Sequence, residues 1–170
     1  MMAPALPHRA GLGLGANLGD PMATLQQAIA ALRAHPQTDA WRISPFYRTA
    51  PVGADAAQPD YINAVAICQT DLPPAALMQW LLDTERHFGR DRGHDVLRNA
   101  PRTLDLDLLI YDDVSMHTPL LTLPHPRLHE RAFVLRPLLD LLPNATLPEL
   151  GRLDAFLPRV ADQAIARINA

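Results

Sequence analysis

Apolar residues between positions 9 and 111 recur at two spacings, one helical and one alternating, and the two take turns along the chain. Residues 9–15 read as a short glycine-rich strand. Asp20-Pro21 then opens a helix, because Asp caps an N-terminus and Pro suits the first turn; Met22, Leu25, Ile29 and Leu32 form its apolar stripe, and Pro36 ends it. A second strand is predicted over about 39–49, with Trp41, Ile43 and Tyr47 set against Arg42, Phe46 and Arg48. Residues 49–59, with Gly53 and two prolines, read as a loop, and a third strand runs from about Tyr61 to Thr70. Asp71 and Pro73-Pro74 start a second helix with Leu77, Leu81, Thr84 and Phe88 on its inner face and Gly89 as C-cap. Residues 90–101 have mixed charge and no clean period, which predicts a long flexible loop. Residues 102–111 form the fourth main strand.

This order is β-α-β-β-α-β, a ferredoxin-like α+β arrangement: a four-stranded antiparallel sheet with helices packed on it, two of them sharing one face. The rest of the chain adds a short hairpin near 114–123, helical segments from about 127 to 142, and an amphipathic last helix near 153–168. Residues 1–8 read as a disordered lead-in. No internal repeat or low-complexity segment is visible, and 170 residues fit a single domain with a sizeable core.

Composition narrows the function. With 48% hydrophobic and 19% charged residues the chain is an ordinary globular protein, and a net charge of −3 argues against a nucleic-acid surface. All 15 basic residues are arginine. The absence of lysine excludes a P-loop lysine, a Schiff base and pyridoxal-phosphate chemistry, so phosphate must be held by arginine, histidine, backbone or metal. Cys68, the only cysteine, lies in an apolar strand and reads as a small buried thiol. With no disulfide framework, no membrane-length apolar run and no signal pattern, a cytoplasmic location is expected.

The stretch Arg102-Thr-Leu-Asp-Leu-Asp-Leu-Leu-Ile110 carries the chemistry. On a strand, Asp105 and Asp107 project from one face, about 7 Å apart, and Leu104, Leu106 and Leu108 from the other. Such a pair is costly unless something positive sits between, and Mg²⁺ suits it because that ion takes one or two carboxylates and completes its shell with water and phosphate oxygens. A solvated sheet face is the plainer alternative. Arginines cluster around the strand: Arg86, Arg90, Arg92, Arg98 and Arg102 before it, Arg127, Arg131 and Arg136 after it, a set suited to phosphate. Gly11-x-Gly13-x-Gly15 lacks the dinucleotide-binding spacing; its glycines fit a strand approached closely by another backbone or a flat ligand.

Six blocks in order then resemble one family: Gly15-Ala16-Asn17-Leu18-Gly19; Ser44-Pro45-Phe46-Tyr47-Arg48-Thr49; Gln58-Pro59-Asp60-Tyr61-Ile62-Asn63-Ala64; Glu85 with Gly89-Arg90-Asp91-Arg92; Pro101-Arg102-Thr103-Leu104-Asp105-Leu106-Asp107; and Pro124-His125-Pro126-Arg127 through Arg131-Ala132-Phe133. Over about residues 10–143 the chain resembles the 6-hydroxymethyl-7,8-dihydropterin pyrophosphokinases of folate biosynthesis. The resemblance implies pyrophosphoryl transfer from ATP to the pterin's hydroxymethyl oxygen, with Asp105 and Asp107 as ligands of two Mg²⁺ ions. It implies pterin contacts from Thr49, Ala50, Val52, Tyr61, Asn63 and Phe133, and ATP contacts from Glu85, Arg90, Arg92, Arg98, Arg102, His125 and Arg131. Arg90, Arg92 and Arg102 join the two aspartates as catalytic candidates, the first two on a loop that acts when it closes. Glu85 reads equally as a helix-surface charge, and Phe46 and Tyr47 as core. Asn99 stands where some members carry a tryptophan, and Pro126 where some carry an aromatic. Small-molecule substrates, no nucleic acid or membrane partner, and a monomer with weak dimerisation as the alternative are expected. Two other classes remain open: a ferredoxin-like binding module without catalysis, and a Mg²⁺-dependent phosphohydrolase.

Overall fold

The computed structural model describes residues 6–50, 59–88 and 104–168. Its main sheet contains β1 (His8–Ala16), β2 (Thr38–Ile43), β3 (Phe46–Thr49), β4 (Tyr61–Thr70), β5 (Asp105–Tyr111) and a last strand at Ile165–Ile168. From one edge the order is last strand, β3, β4, β1, β5, with β2 also pairing to β4 and every pairing antiparallel. Ignoring the last strand, this is the ferredoxin-like order read from the sequence. β1 begins at His8, paired with Thr70, so residue 8 belongs to the sheet and not to a disordered lead-in.

Two helices, α1 (Pro21–Arg33) and α2 (Pro74–His87), cover one face. The Asp20 carboxylate accepts the Ala23 N–H at 3.1 Å, as an N-cap should. Their buried residues Leu25, Leu32, Leu77 and Leu81 meet Ala10, Leu12, Leu14 and Ala16 of β1, Leu106 and Leu108 of β5, and Leu104 just before it. A third helix, α3 (Ala132–Leu141), packs on the other face with Val65, Ile67, Leu109 and Ile110. A register shift between Gly11 and Leu12 leaves Leu109 opposite no β1 residue, which turns Leu109 and Ile110 toward the same cluster.

Two further expectations need correction. The strand predicted over 39–49 is two strands, because Pro45 has no N–H to give the ladder; Ser44 bridges the break, its Oγ accepting the Val65 N–H at 2.9 Å. The helix predicted near 153–168 is a 3-10 segment, Leu153–Val160, followed by a strand, Ile165–Ile168. Pro158 removes a helix donor, and β3 offers an open edge with which Ile165 to Ile168 pair. Ile165 and Ile168 then fall on opposite faces, one in each core cluster. The short hairpin is present as β6 (Met116–His117) and β7 (Thr122–Leu123), followed by a 3-10 turn at Leu128–Glu130. Between α3 and the Leu153–Val160 segment lies one more hairpin, β8 (Thr146–Leu147) and β9 (Gly151–Arg152), so the last strand is β10. The readings for residues 1–5, the 51–58 loop, Gly89 and the 90–101 loop fall outside the described residues.

Candidate active site

The second face is only half covered by apolar side chains. Cross-strand rows place Asp105 beside Gly15 and Gly15 beside Asn63, then Asp107 beside Gly13 and Gly13 beside Val65. One row further, Tyr61 pairs with Thr49. The N-terminus of α3 arrives over this end of the sheet and brings Arg131 and Phe133. All of these except Val65, which is buried in the apolar cluster, line a cavity of about 700 Å³ with Ala50, His125, Arg127, Glu130 and Gln163. Every described residue expected to contact the pterin is therefore in one place, with both aspartates, His125 and Arg131 from the phosphate side. Val52, Arg90, Arg92, Arg98 and Arg102 lie outside the described residues.

The glycines account for the hollow. A Cβ on Gly15 would stand 2.8 Å from Asn63 Oδ1, inside contact distance, whereas one on Gly13 would make an ordinary 3.5 Å contact with Leu109. Gly15 thus leaves the space in which the Asn63 amide sits. That amide is buried, and its Nδ2 donates to Thr49 Oγ1 at 2.9 Å, which fixes a polar edge at the cavity wall.

His125 is held by its backbone, whose N–H donates to Leu109 C=O at 2.8 Å. Its Nδ1 accepts the Arg127 N–H at 3.2 Å, so the neutral ring carries its proton on Nε2 and keeps a donor there. Burial first, then repulsion from Arg131, pushes its pKa down to about 4 despite the attraction of Asp105. The Arg131 guanidinium lies 5.5 Å over the Phe133 ring. Burial and the neighbouring Arg127 lower its pKa, while Asp107 and Asp105 act against both; the group remains a cation facing the carboxylates. Arg127 in turn pairs with Glu130 at 3.7 Å.

A smaller cavity of about 210 Å³ adjoins the first and shares Asp107 and His125 with it. Met78, Leu108, Leu121 and Pro126 give it an apolar wall, and Leu120 stands 89% exposed at the hairpin between β6 and β7. Glu85 does not line the larger cavity. It is 1% exposed and accepts the Leu106 N–H at 2.7 Å, so it is not a surface charge but an acceptor against the edge strand β5. Tyr47 is core, its hydroxyl donating to Asp140 of α3; burial and that carboxylate push its pKa up to about 12. Phe46 also packs into the core, and Cys68 is a buried thiol raised to about 12. Reading the sequence put Arg127 in the phosphate-suited arginine set without assigning it a contact, and missed Glu130 and Gln163 as lining residues. The run Arg127-Leu-His-Glu130-Arg131 offered a signal in its charge spacing; Gln163 offered none.

Among the described residues no group of three His, Cys, Asp or Glu side chains is placed to hold a metal. Two carboxylates on one strand face fit a hard cation completed by water and substrate oxygens, and do not fit a closed tetrahedral zinc site.

The model of the 7,8-dihydro-6-hydroxymethylpterin-pyrophosphokinase (HPPK) family matches residues 11–143. The chain belongs to this family. It is 40% identical over 158 residues to a 2-amino-4-hydroxy-6-hydroxymethyldihydropteridine pyrophosphokinase of Synechocystis, covering 89% of this chain and 78% of that one. To the protein of that name from Pseudomonas aeruginosa it is 38% identical, over 95% and 97% of the two chains. The HPPK fold is also that of a Plasmodium falciparum HPPK-DHPS solved with pterin and p-hydroxybenzoate, at TM-score 0.68 and 12% identity over 99% of this chain. This chain spans 48% of that one and 43% of another HPPK-DHPS solved with substrates, at TM-score 0.67. The matched residues 11–143 include every described lining residue of the larger cavity except Gln163.

Proposed function

We propose that this chain transfers the β,γ-pyrophosphoryl group of ATP to the hydroxymethyl oxygen of 6-hydroxymethyl-7,8-dihydropterin, releasing AMP. The observation that carries the reading is the single cavity in which a buried amide edge, an aromatic face and two carboxylates meet. The Asn63 amide and Thr49 hydroxyl offer donors and acceptors to the edge of a flat heterocycle, and Phe133 offers a face. Tyr61 and Ala50 close the same end. Because Asp107 and His125 line both cavities, a nucleotide base held against Met78, Leu108 and Leu121 can send its phosphates past them toward the pterin.

In the reaction the hydroxyl oxygen attacks the β-phosphorus, the bond to the α-phosphate oxygen breaks, and AMP leaves. The residues act by positioning and by charge, as in other phosphoryl transfers. Arg131 and the Nε2–H of His125 meet phosphate oxygens, and Arg90, Arg92, Arg98 and Arg102 are proposed to do the same. Glu85 steadies β5 from its edge. Asp105 and Asp107 would hold two Mg²⁺ ions, which when bound neutralise phosphate charge, polarise the β-phosphorus and acidify the attacking hydroxyl. No helix among the described residues is long and apolar enough to cross a membrane.

The test is incubation with ATP, Mg²⁺ and the hydroxymethyl pterin. The proposal expects AMP that appears only when pterin is present. Orthophosphate released without pterin would make the chain a hydrolase, and absence of any turnover would make it a binding module.

A further inference from the structure

Gln163 lies beyond the residues that define the family, yet it lines the larger cavity and makes two hydrogen bonds to the turn that presents Arg131 and Phe133. Its Oε1 accepts the Ala132 N–H at 2.8 Å, and its Nε2 donates to the Glu130 C=O at 2.8 Å. The two bonds straddle Arg131. That residue is the N-cap of α3, with extended backbone at φ −121° and ψ 114°, and no side chain of its own caps the helix. The Ala132 N–H, one of the donors a helix leaves without an internal partner, is therefore satisfied by Gln163 alone among the hydrogen bonds described.

The segment bearing Gln163 is fixed independently. The Gln163 N–H donates to the Val160 C=O at 3.1 Å, and two residues later Ile165 pairs with Thr49. Thr49 is the residue whose hydroxyl accepts from Asn63. One short stretch thus ties the strand that sets the amide edge to the turn that sets the aromatic face. We infer that Gln163 is a positioning residue for the pterin half of the site, holding Phe133, and with it the phosphate-facing Arg131, at a set distance from Asn63. The inference rests on the proposed pyrophosphoryl transfer and assigns Gln163 no contact with the reacting atoms.

The test compares Gln163→Met, which keeps the side chain's length and volume but removes both bonds, with Val160→Ala, which loosens the packing of the same segment and leaves them. AMP formation is followed against each substrate in turn. Gln163→Met should raise the pterin KM about tenfold, the effect of one or two lost hydrogen bonds, and the ATP KM by less, because Arg131 is one of several groups proposed to meet the phosphates. Gln163→Glu, which keeps an acceptor for Ala132 but loses the donor to Glu130, should fall between. Val160→Ala should lower the Tm and leave the pterin KM in place. A pterin KM unchanged in Gln163→Met, or raised as much in Val160→Ala, would overturn the inference while the wild-type activity stands. A wild-type chain that forms no AMP would overturn the reading beneath it and the inference together.

Discussion

The two faces of β1 differ in one respect that decides everything above them. Toward α1 and α2 the strand presents Ala10, Leu12, Leu14 and Ala16, all buried in a continuous core. Toward α3 it presents Gly11, Gly13 and Gly15 at the same spacing; Ile110 and Ile67 pack against Gly11, and over Gly13 and Gly15 the apolar packing gives way to a cavity. The first face is filled because nothing has to enter it. On the second, Gly15 keeps Asn63 in place and the neighbouring strand supplies Asp105 and Asp107. The same period-2 backbone thus builds stability on one side and a binding surface on the other.

The sharpest way to separate the faces is to remove a carboxylate from the second. Asp105→Ala or Asp107→Ala should cost at least several kcal/mol of transition-state stabilisation, measured as kcat/KM for AMP formation at saturating Mg²⁺. Thermal stability should move little, because relief of carboxylate repulsion and loss of attraction to Arg131 oppose each other. Leu12→Ala on the first face should do the reverse. It deletes a fully buried side chain and should cost about 3 kcal/mol of unfolding free energy by denaturant titration, with substrate KM values unchanged in the folded fraction.

A finer break falls within the second face. Gly15→Ala must displace the Asn63 amide, and the loss of one well-placed hydrogen-bonding edge should weaken pterin binding by about 1–2 kcal/mol in calorimetry. Gly13→Ala meets only ordinary contact with Leu109 and should leave pterin binding near wild type. Equal effects from the two would show that the glycines serve the strand and not the site.

The smallest effect is pH-dependent. His125 has a pKa of about 4 in the folded chain against 6.5 as its ordinary value. As pH falls below 6.5 the unfolded chain takes up this proton first, so stability declines from pH 6.5 to about 4 and this contribution levels off below that. Allowing for partial exposure, the loss should be about 1–2 kcal/mol. His125→Asn should flatten that part of a stability-versus-pH curve measured without nucleotide; an unchanged slope would assign it to other groups.

The sheet order, the separation of Asp105 and Asp107 from Leu104, Leu106 and Leu108, and the gathering of Thr49, Tyr61, Asn63 and Phe133 were all legible, because each rests on local period or on a short motif. The helix expected over 153–168 was not what forms there. Ile165 and Ile168 suit a helix face by spacing alone, and only the open edge of β3 makes a strand the better partner. Ser44-Pro45 similarly marks a break that alternation does not register, since a side-chain oxygen accepts the Val65 N–H where the ladder is interrupted. Gln163 was invisible for a related reason. A bond to a turn 31 residues away leaves no pattern near either end.

Which face of the sheet receives the substrates can be observed without turnover. Mn²⁺ added with a non-hydrolysable ATP analogue should broaden the amide resonances of Gly13, Gly15, Asp105, Asp107, His125 and Arg131 by its paramagnetism, while those of Leu25, Leu32 and Leu77 over the first face stay sharp. Broadening centred on α1 and α2, or none around Asp105 and Asp107, would contradict the placement of the site.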